Sequence, residues 1–337
     1  MSIKRLGRST VSFASPPIIT ATAAVGGKKE GEGPLRDCFD RIVEDAYFSC
    51  KTWEQAESAL LRQTFDICCE KAQMNAAAMD YLFAGDLLAQ CISSSFALRD
   101  VPVPCFGIYG ACSSIIEALS LAAMAIDGGY ADCCAAMTSS HFCSAERQFR
   151  LPLEYGGQRS PVTQWTVTAA GAVILNSQGR GPAVTHITTG RILDAGIKDA
   201  GNMGAAMAPA AYETLTAHFR DTGRRPSDYD AIITGDLGQV GHRILLDLCR
   251  KDGLDLGKNS TDCGILIYDR NNQDVHAGGS GCGCCASVMA GYIVPNIIRG
   301  KWRRILVAAT GALLSPTTVL QGESIPGICH AASLERR

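Results

Sequence analysis

The chain has 337 residues, of which 47% are hydrophobic and 19% charged, with a formal net charge of −2. That is enough apolar material for one large domain or two packed halves, and too little clustered positive charge for a broad phosphate-neutralising face, so nucleic acid is not an expected partner. The longest apolar window, Ala111–Ile126, contains Glu117 and several serines and is shorter than the roughly 20 residues of a membrane span. MSIKRLGRSTVSF at the amino terminus lacks an apolar stretch with a small-residue cleavage site. A cytoplasmic protein without signal peptide or transmembrane segment is expected. Its sixteen cysteines, with adjacent pairs such as Cys68-Cys69 and Cys133-Cys134, read as reduced thiols filling the core.

In chain order, GGKKEGEGP (26–34) predicts an exposed loop, followed by a helical run from about Leu35 to Met74. DYLFAGD (80–86) is a short apolar run ending in Gly-Asp, as a buried strand does where it opens into a loop. VPCFGIYGA then forms a strand and a glycine-rich turn leading to Cys112. Ile115, Ile116, Leu119, Ala122, Ala123 and Ile126 follow at helical spacing, which places Cys112 at a helix amino terminus. There the unpaired N–H groups favour a thiolate and lower its pKa. A cysteine merely packed in a glycine-rich turn fits the same letters.

SAERQFRLPLEYGGQRSP (144–161) is a polar excursion between two strands, a lid or a dimer arm. After the strand WTVTAAGAVIL, the turn-rich NSQGRGP (176–182) marks a boundary between halves 1–178 and 179–337. Asp194, Asp199 and Asn202 lie in a structured loop, where the carboxylates can coordinate a cation or simply make Asx-turns. MAPAAYETL restarts a helix with Pro209 near its first turn.

The second half repeats the first. DYLFAGDLLAQ at 80–90 is answered by DAIITGDLGQV at 230–240, matching Asp80 with Asp230, Gly85 with Gly235 and Asp86 with Asp236. The run from Cys112 is answered from Cys284, pairing Gly128 with Gly300, Ala136 with Ala308 and Thr138 with Thr310. Two matches in the same order imply an internal duplication and two stacked α/β halves with buried sheets. HAGGSGCGCC (276–285) is then a second helix start facing the first, and the two amino termini suit an anion. Zinc is the weaker reading of Cys282, Cys284 and Cys285, because a second ligand pair is missing.

A thiolate that transfers acyl groups needs a base and oxyanion donors. Six histidines are available. His141, at a strand end, is the best placed and His276 second; His186 lies on a strand, His218 on an amphipathic helix expected to be solvent-exposed, and His242 and His330 have no supporting pattern.

Duplicated halves with a cysteine at a helix start resemble the thiolase and ketoacyl-synthase fold. More narrowly, FAGDLLAQ, GACSS, SSHFCSAERQFR, EYGGQ, DAGNMGAAMAPAA, HAGGSGCGCC and QGESIPGI resemble the stage V sporulation protein AD family. The broader resemblance implies an α/β fold with a βαβαβαββ half repeated about a pseudo-twofold axis, a homodimer through the first half, and an acyl-accepting Cys112. Where ketoacyl synthases keep histidine and asparagine partners, this sequence has Asp236 and Cys282 or Cys284. An aspartate supplies no N–H to an oxyanion, so Cys112 is expected to be vestigial; a Cys-dependent acyltransferase, with His141 as base, is the alternative. The sporulation resemblance implies a soluble, cofactor-free subunit of a channel that carries dipicolinic acid, as its calcium chelate, into the developing spore and releases it in germination. It would dock on other stage V channel subunits at the inner spore membrane. Cys112, His141, Asp194, Asp199, Asp236, Cys282 and Cys284 are the expected ligand-binding residues, with calcium on Asp194.

Overall fold

In the computed structural model, residues 4–149 and 159–337 are described; Arg150 and the EYGGQ stretch of the polar excursion lie outside them. Ten strands form the framework. In the first half these are β1 (Ile18–Gly27), β2 (Tyr81–Gly85), β3 (Cys105–Ile108), β4 (Cys133–Ser140) and β5 (Ala169–Asn176). The second half has β6 (Ala183–Thr189), β7 (Ala231–Thr234), β8 (Ser260–Asp262), β9 (Arg304–Ala312) and β10 (Gly327–Glu335). Their order across the sheet is β8-β7-β9-β10-β6-β1-β5-β4-β2-β3. Each strand of the second half occupies the place of the strand five earlier, mirrored about the β1–β6 junction, which a single residue pair, Ile18 with Ala183, bridges.

The connecting helices repeat as well. α1 (Trp53–Ala72), α2 (Ile92–Leu98) and α3 (Ser114–Asp127) serve the first half, and α4 (Phe142–Phe149) belongs to the excursion. α5 (Met203–Thr222), α6 (Gly238–Lys251) and α7 (Cys282–Val288) take the corresponding places in the second. α7 runs on through a π-helical turn, Met289–Ile293, into Val294–Ile298; Pro295 has no N–H to continue the regular ladder, and the wider turn absorbs the break. The result is two copies of βαβαβαββ. The parallel ladders set Phe83 beside Ala136 in one half and Ile233 beside Val307 in the other, one residue away from the alignment of Ala136 with Ala308 read from sequence.

Layering follows from which faces are apolar. α3 and α7 fill the space between the two five-strand arrays, where Ile115, Ile116, Leu119, Val288, Met289 and Ile293 are fully or almost fully buried in one cluster. α1 covers the outer face of the first array through Leu60, Leu61 and Phe65, and α5 and α6 cover the second through Met207, Leu215 and Leu245. Strands sandwiched in this way are buried on both faces, so alternation disappears and small residues predominate. At Gly171 a Cβ would lie 2.2 Å from the backbone of Ala286, so glycine is what lets α7 lie flat on β5. All sixteen cysteines are free thiols, most of them buried.

Several local expectations are corrected. Residues 35–52 are not α-helical: a single 3₁₀ turn at Arg36–Cys38 and a strand at Arg41–Val43 intervene. Phe48 and Ser49, at φ 49° and 59°, break the run before Thr52 caps α1 by accepting from the Gln55 N–H. The supposed exposed loop at 26–34 ends β1 and buries Glu30, whose Oε1 accepts from the Thr168 N–H and from the Tyr268 hydroxyl. α5 begins at Met203, with Asn202 as its cap, so Pro209 is interior, not first-turn.

The first half also buries two carboxyls. Asp86 accepts from the Leu88 N–H at 2.8 Å, the Ser94 N–H at 2.7 Å and the Ser94 hydroxyl at 2.6 Å. Glu57 accepts from Ser144 Oγ at 2.7 Å and Ser139 Oγ at 3.2 Å. Burial, and then the Asp86 charge, push Glu57 up to about 8. Asp86, with three donors, holds the charge and Glu57 the proton. A raised folded pKa contributes stability that is fully present below the unfolded value and lost as pH rises through the folded one. The stability of Glu57→Gln relative to the parent chain should therefore improve between about pH 4.5 and 8 and level off above, as read from urea midpoints across that range; a constant difference would refute the assignment.

Candidate functional site: a thiol and a carboxyl at two facing helix starts

The tight turn Ala111–Ser113 leads directly into α3 and carries Cys112. Ala111 has φ 50°, a left-handed conformation costing a non-glycine residue on the order of 1 kcal/mol. Contacts from both halves hold it there. Its carbonyl accepts from Ser114 Oγ at 2.7 Å and from Cys282 Sγ, across the pseudo-twofold axis, at 2.9 Å. Gly281, at φ 111°, precedes α7 in a conformation open essentially to glycine alone.

Asp236, at the end of β7, ties this junction together. One oxygen accepts from Ser280 Oγ at 2.8 Å and the Gly281 N–H at 3.1 Å, and the other from Thr310 Oγ1 at 2.8 Å. The backbone carbonyl of Asp236 accepts from Gln164 Nε2. The Cys112 sulfur lies 3.8 Å from Ser280 Oγ. Burial raises the Asp236 carboxyl to about 6 despite its donors, Cys112 first among them. Burial, and then the charge of Asp236, push the Cys112 thiol well above its ordinary value. This overturns the expected helix-terminal thiolate: at this depth desolvation and a neighbouring carboxylate outweigh the helix dipole.

Above these groups opens a cavity of about 270 Å³, lined by Cys112, Ser280, Gly281 and Ala111 at its floor. Leu87, Tyr109, Phe149, Met203, Leu313 and Leu314 supply apolar and aromatic walls, and Glu146 on α4 is the charged side chain of the described lining. Glu146 Oε1 lies 3.5 Å from Thr166 Oγ1, which donates to it. No imidazole lines the cavity among the described residues.

The candidates from sequence are distributed unevenly. Cys112, Asp236 and Cys282 come together, and Cys282 packs with Cys112, Leu87 and Ala145. Cys284 is turned away, its sulfur 3.6 Å from the Gly235 carbonyl. His141 follows β4, but its Nε2 sits 2.8 Å from the Ala46 carbonyl and its Nδ1 accepts from the Cys143 N–H; burial lowers its pKa, so the ring is neutral. Asp194 and Asp199 are exposed. They accept from the Gly196 and Gly201 N–H groups in Asx-turns, and Asp194 also from Ser324 Oγ. Neither lines the cavity, although Ala200 and Met203, beyond them in the chain, do. No cluster of three or more metal-ligating side chains occurs among the described residues.

His218, expected at the surface, is fully buried, with Nδ1 2.7 Å from Thr188 Oγ1 and Nε2 2.6 Å from the Tyr229 hydroxyl. His276 pairs loosely with Asp274 at 3.4 Å. Sequence reading gave no site role to Ser280, Thr310, Tyr109 or Glu146, although it matched Thr310 to Thr138 and placed Glu146 in the polar excursion. The first two stand beside recognised glycines, in GGSG and ATG; nothing local marks the others, which the fold brings in from a strand end and from the excursion.

Comparison with known proteins agrees with this geometry. Solved structures of the same fold include 3-oxoacyl-[acyl-carrier-protein] synthase III from Aquifex aeolicus, at TM-score 0.57 and 14% identity over 95% of this chain and 99% of that one. The corresponding synthase from Pseudomonas aeruginosa matches at 0.57 and 12%, over 95% and 98%. OleA from Xanthomonas campestris matches at 0.54 and 13%, over 97% and 98%. At such identities the likeness is one of fold. Stage V sporulation protein AD of Bacillus subtilis is 41% identical over 334 residues, covering 99% of this chain and 98% of that protein. The family model for stage V sporulation protein AD matches residues 7–335, and the chain belongs to that family.

Proposed function

We propose that the cavity over Cys112 is a receptor for dipicolinic acid as its calcium chelate, and that the protein is the soluble, cofactor-free subunit of a channel complex at the inner membrane of the developing spore. In this reading it serves uptake during sporulation and release in germination, docked on the other stage V channel subunits. The observation that carries the proposal is the pairing of Cys112 with a buried serine and carboxyl where condensation chemistry needs an imidazole. A hollow of this size with aromatic and aliphatic walls suits one flat ring. Glu146 lines the cavity, and its carboxylate is an oxygen ligand of the kind calcium takes, which favours the chelate over the free dianion.

Calorimetry should show heat with dipicolinate plus calcium and little with dipicolinate alone. Glu146→Gln should weaken the calcium-dependent binding about tenfold, the scale of one charge-assisted contact. Absence of heat with both forms would end the receptor reading.

Cysteine-dependent acyl transfer is the competing chemistry, because Cys112 does reach the cavity floor. With the thiol held protonated beside Asp236, incubation with acyl thioesters should leave the intact mass unchanged. An adduct lost in Cys112→Ala would reinstate transferase activity.

A homodimer through the first half fits the exposed edge. Among the described residues β3 pairs with β2 alone, and Phe106 and Tyr109 are 53% exposed beside Phe96 at 52%. An unprotected apolar edge strand is a template for pairing. Light scattering should give twice the 35.7 kDa chain mass, and Phe106→Glu should give the monomer; a monomeric parent chain would remove this element.

A further inference from the structure

At the end of the sheet opposite the cavity, three separate chain segments bring six basic side chains together. Arg299 and Lys301 flank the turn between the last helical segment and β9, Arg303 precedes β9, Arg336 and Arg337 follow β10, and Arg180 stands in the turn between β5 and β6. Adjacency follows from backbone and side-chain contacts. The Arg336 N–H donates to the Arg303 carbonyl at 2.8 Å, and a Cβ on Gly300 would lie 2.6 Å from the Arg336 guanidinium. Arg337 donates to the Pro16 carbonyl at 3.4 Å. The Arg180 turn packs on β1, with Gly181 close against the Ile19 carbonyl, and Ala183, just beyond it, pairs with Glu335.

All six side chains are exposed, and none forms an ion pair among the described residues. Of the carboxylates near this end, Asp132 accepts from Ser177 beside the Arg180 turn, and two others are also engaged. Asp230 accepts from the backbone N–H groups of Arg303 and Arg304, and Glu335 is held between Arg224 and Arg304. The patch also carries apolar groups. Ile298 is 56% exposed, and Trp302 meets Tyr292 edge-on at 5.5 Å with the Lys301 ammonium over both rings. In a chain of net charge −2, this concentration of unpaired positive charge is a local design.

We propose that this face docks directly on an anionic phospholipid surface, with the arginines and Lys301 at the headgroups and Ile298 and Trp302 at the interface. An exposed isoleucine and a half-buried indole under the Lys301 ammonium match a headgroup boundary better than the flat, hydrogen-bonding surface of an acidic protein. Each basic side chain near such a surface contributes about 1 kcal/mol. The orientation is also consistent. β9 runs from this face to the cavity floor and spans about 30 Å at strand rise, so a docked molecule opens its cavity away from the bilayer. The inference deepens the membrane-side part of the reading above and rests on it for location only.

Flotation with phosphatidylglycerol vesicles and with phosphatidylcholine vesicles tests it. The chain should bind the first and not the second, and lose binding as salt is raised. Arg180→Glu, Arg299→Glu and Arg337→Glu combined should bind at least a hundredfold more weakly while keeping the parent melting temperature and calorimetric response, since these side chains lie far from the core and the cavity. Ile298→Ser should weaken binding to phosphatidylglycerol with salt sensitivity retained. Equal binding to both vesicles, binding to neither, indifference to the triple reversal, or preference for polyglutamate or a single-stranded oligonucleotide over the anionic vesicles would overturn the proposal. Because the vesicle and calorimetric measurements read different ends of the molecule, either can fail without the other.

Discussion

Everything in this molecule is arranged so that two helix starts can touch. The Ala111 carbonyl meets the Cys282 thiol at 2.9 Å, and backbone approaches close to that point explain glycines that would otherwise look wasteful. A Cβ at Gly311 would fall 2.6 Å from the Gly110 carbonyl, and one at Gly283 would fall 2.1 Å from the Ala169 carbonyl. Larger residues would separate the arrays, because packed interiors do not yield by an ångström without shifting backbone. The strain at Ala111 persists for the same reason. Contacts from both halves define its position, and a strained residue survives where its surroundings over-determine it.

Given that junction, the electrostatics follow. A thiol at a helix start is commonly activated, but activation needs a surplus of positive potential. Here the nearest ionisable group is a carboxyl with its own network: Ser280 and Gly281 at the start of α7 and Thr310 on β9 donate to Asp236. Those donors make the aspartate a structural clamp between β7, β9 and the start of α7. The clamp opposes a thiolate, because a second negative charge at this depth would be desolvated beside the first. With the clamp in place, the Cys112 thiol is pushed above its ordinary pKa at the floor of the hollow.

Much of the architecture was legible because duplication writes the same pattern twice. The Gly-Asp strand ends at 85–86 and 235–236, and the two glycine-rich helix starts, locate equivalent points in both halves. Once Cys112 sits on such a start, its helix and the facing one can be placed. Legibility failed where neighbours outweigh local pattern. His218 looked solvent-facing on an amphipathic helix, yet its ring is held between the Tyr229 hydroxyl and Thr188, on a strand thirty residues earlier. Cys282 and Cys284 could not be ranked from their letters. A helix turns about 100° per residue, so residues two apart point in different directions, and only the pitch of α7 decides that Cys282 faces Cys112. Glu146 and Tyr109 carry no local signal at all, because cavity walls are assembled by topology from segments distant in sequence.

The same argument explains why the basic end escaped a reading of charge runs. No stretch there is longer than the neighbourhood of Trp302, Arg303 and Arg304, and one of those, Arg304, is spent on Glu335. The antiparallel pairing of β9 with β10 adds Arg336 beside Arg303, the bridge between β1 and β6 brings the Arg180 turn alongside, and the turn after the last helix adds Arg299 and Lys301. Positive charge is therefore dispersed in sequence and gathered by the fold. A chain with that charge in one block would risk disorder through self-repulsion. Distributed over strand ends, the charges are separated by rigid backbone and cost the folded state little. Strand polarity completes the division of labour: the carboxyl ends of the parallel strands gather the cavity, as open α/β sheets do, and their amino ends are left free to carry charge.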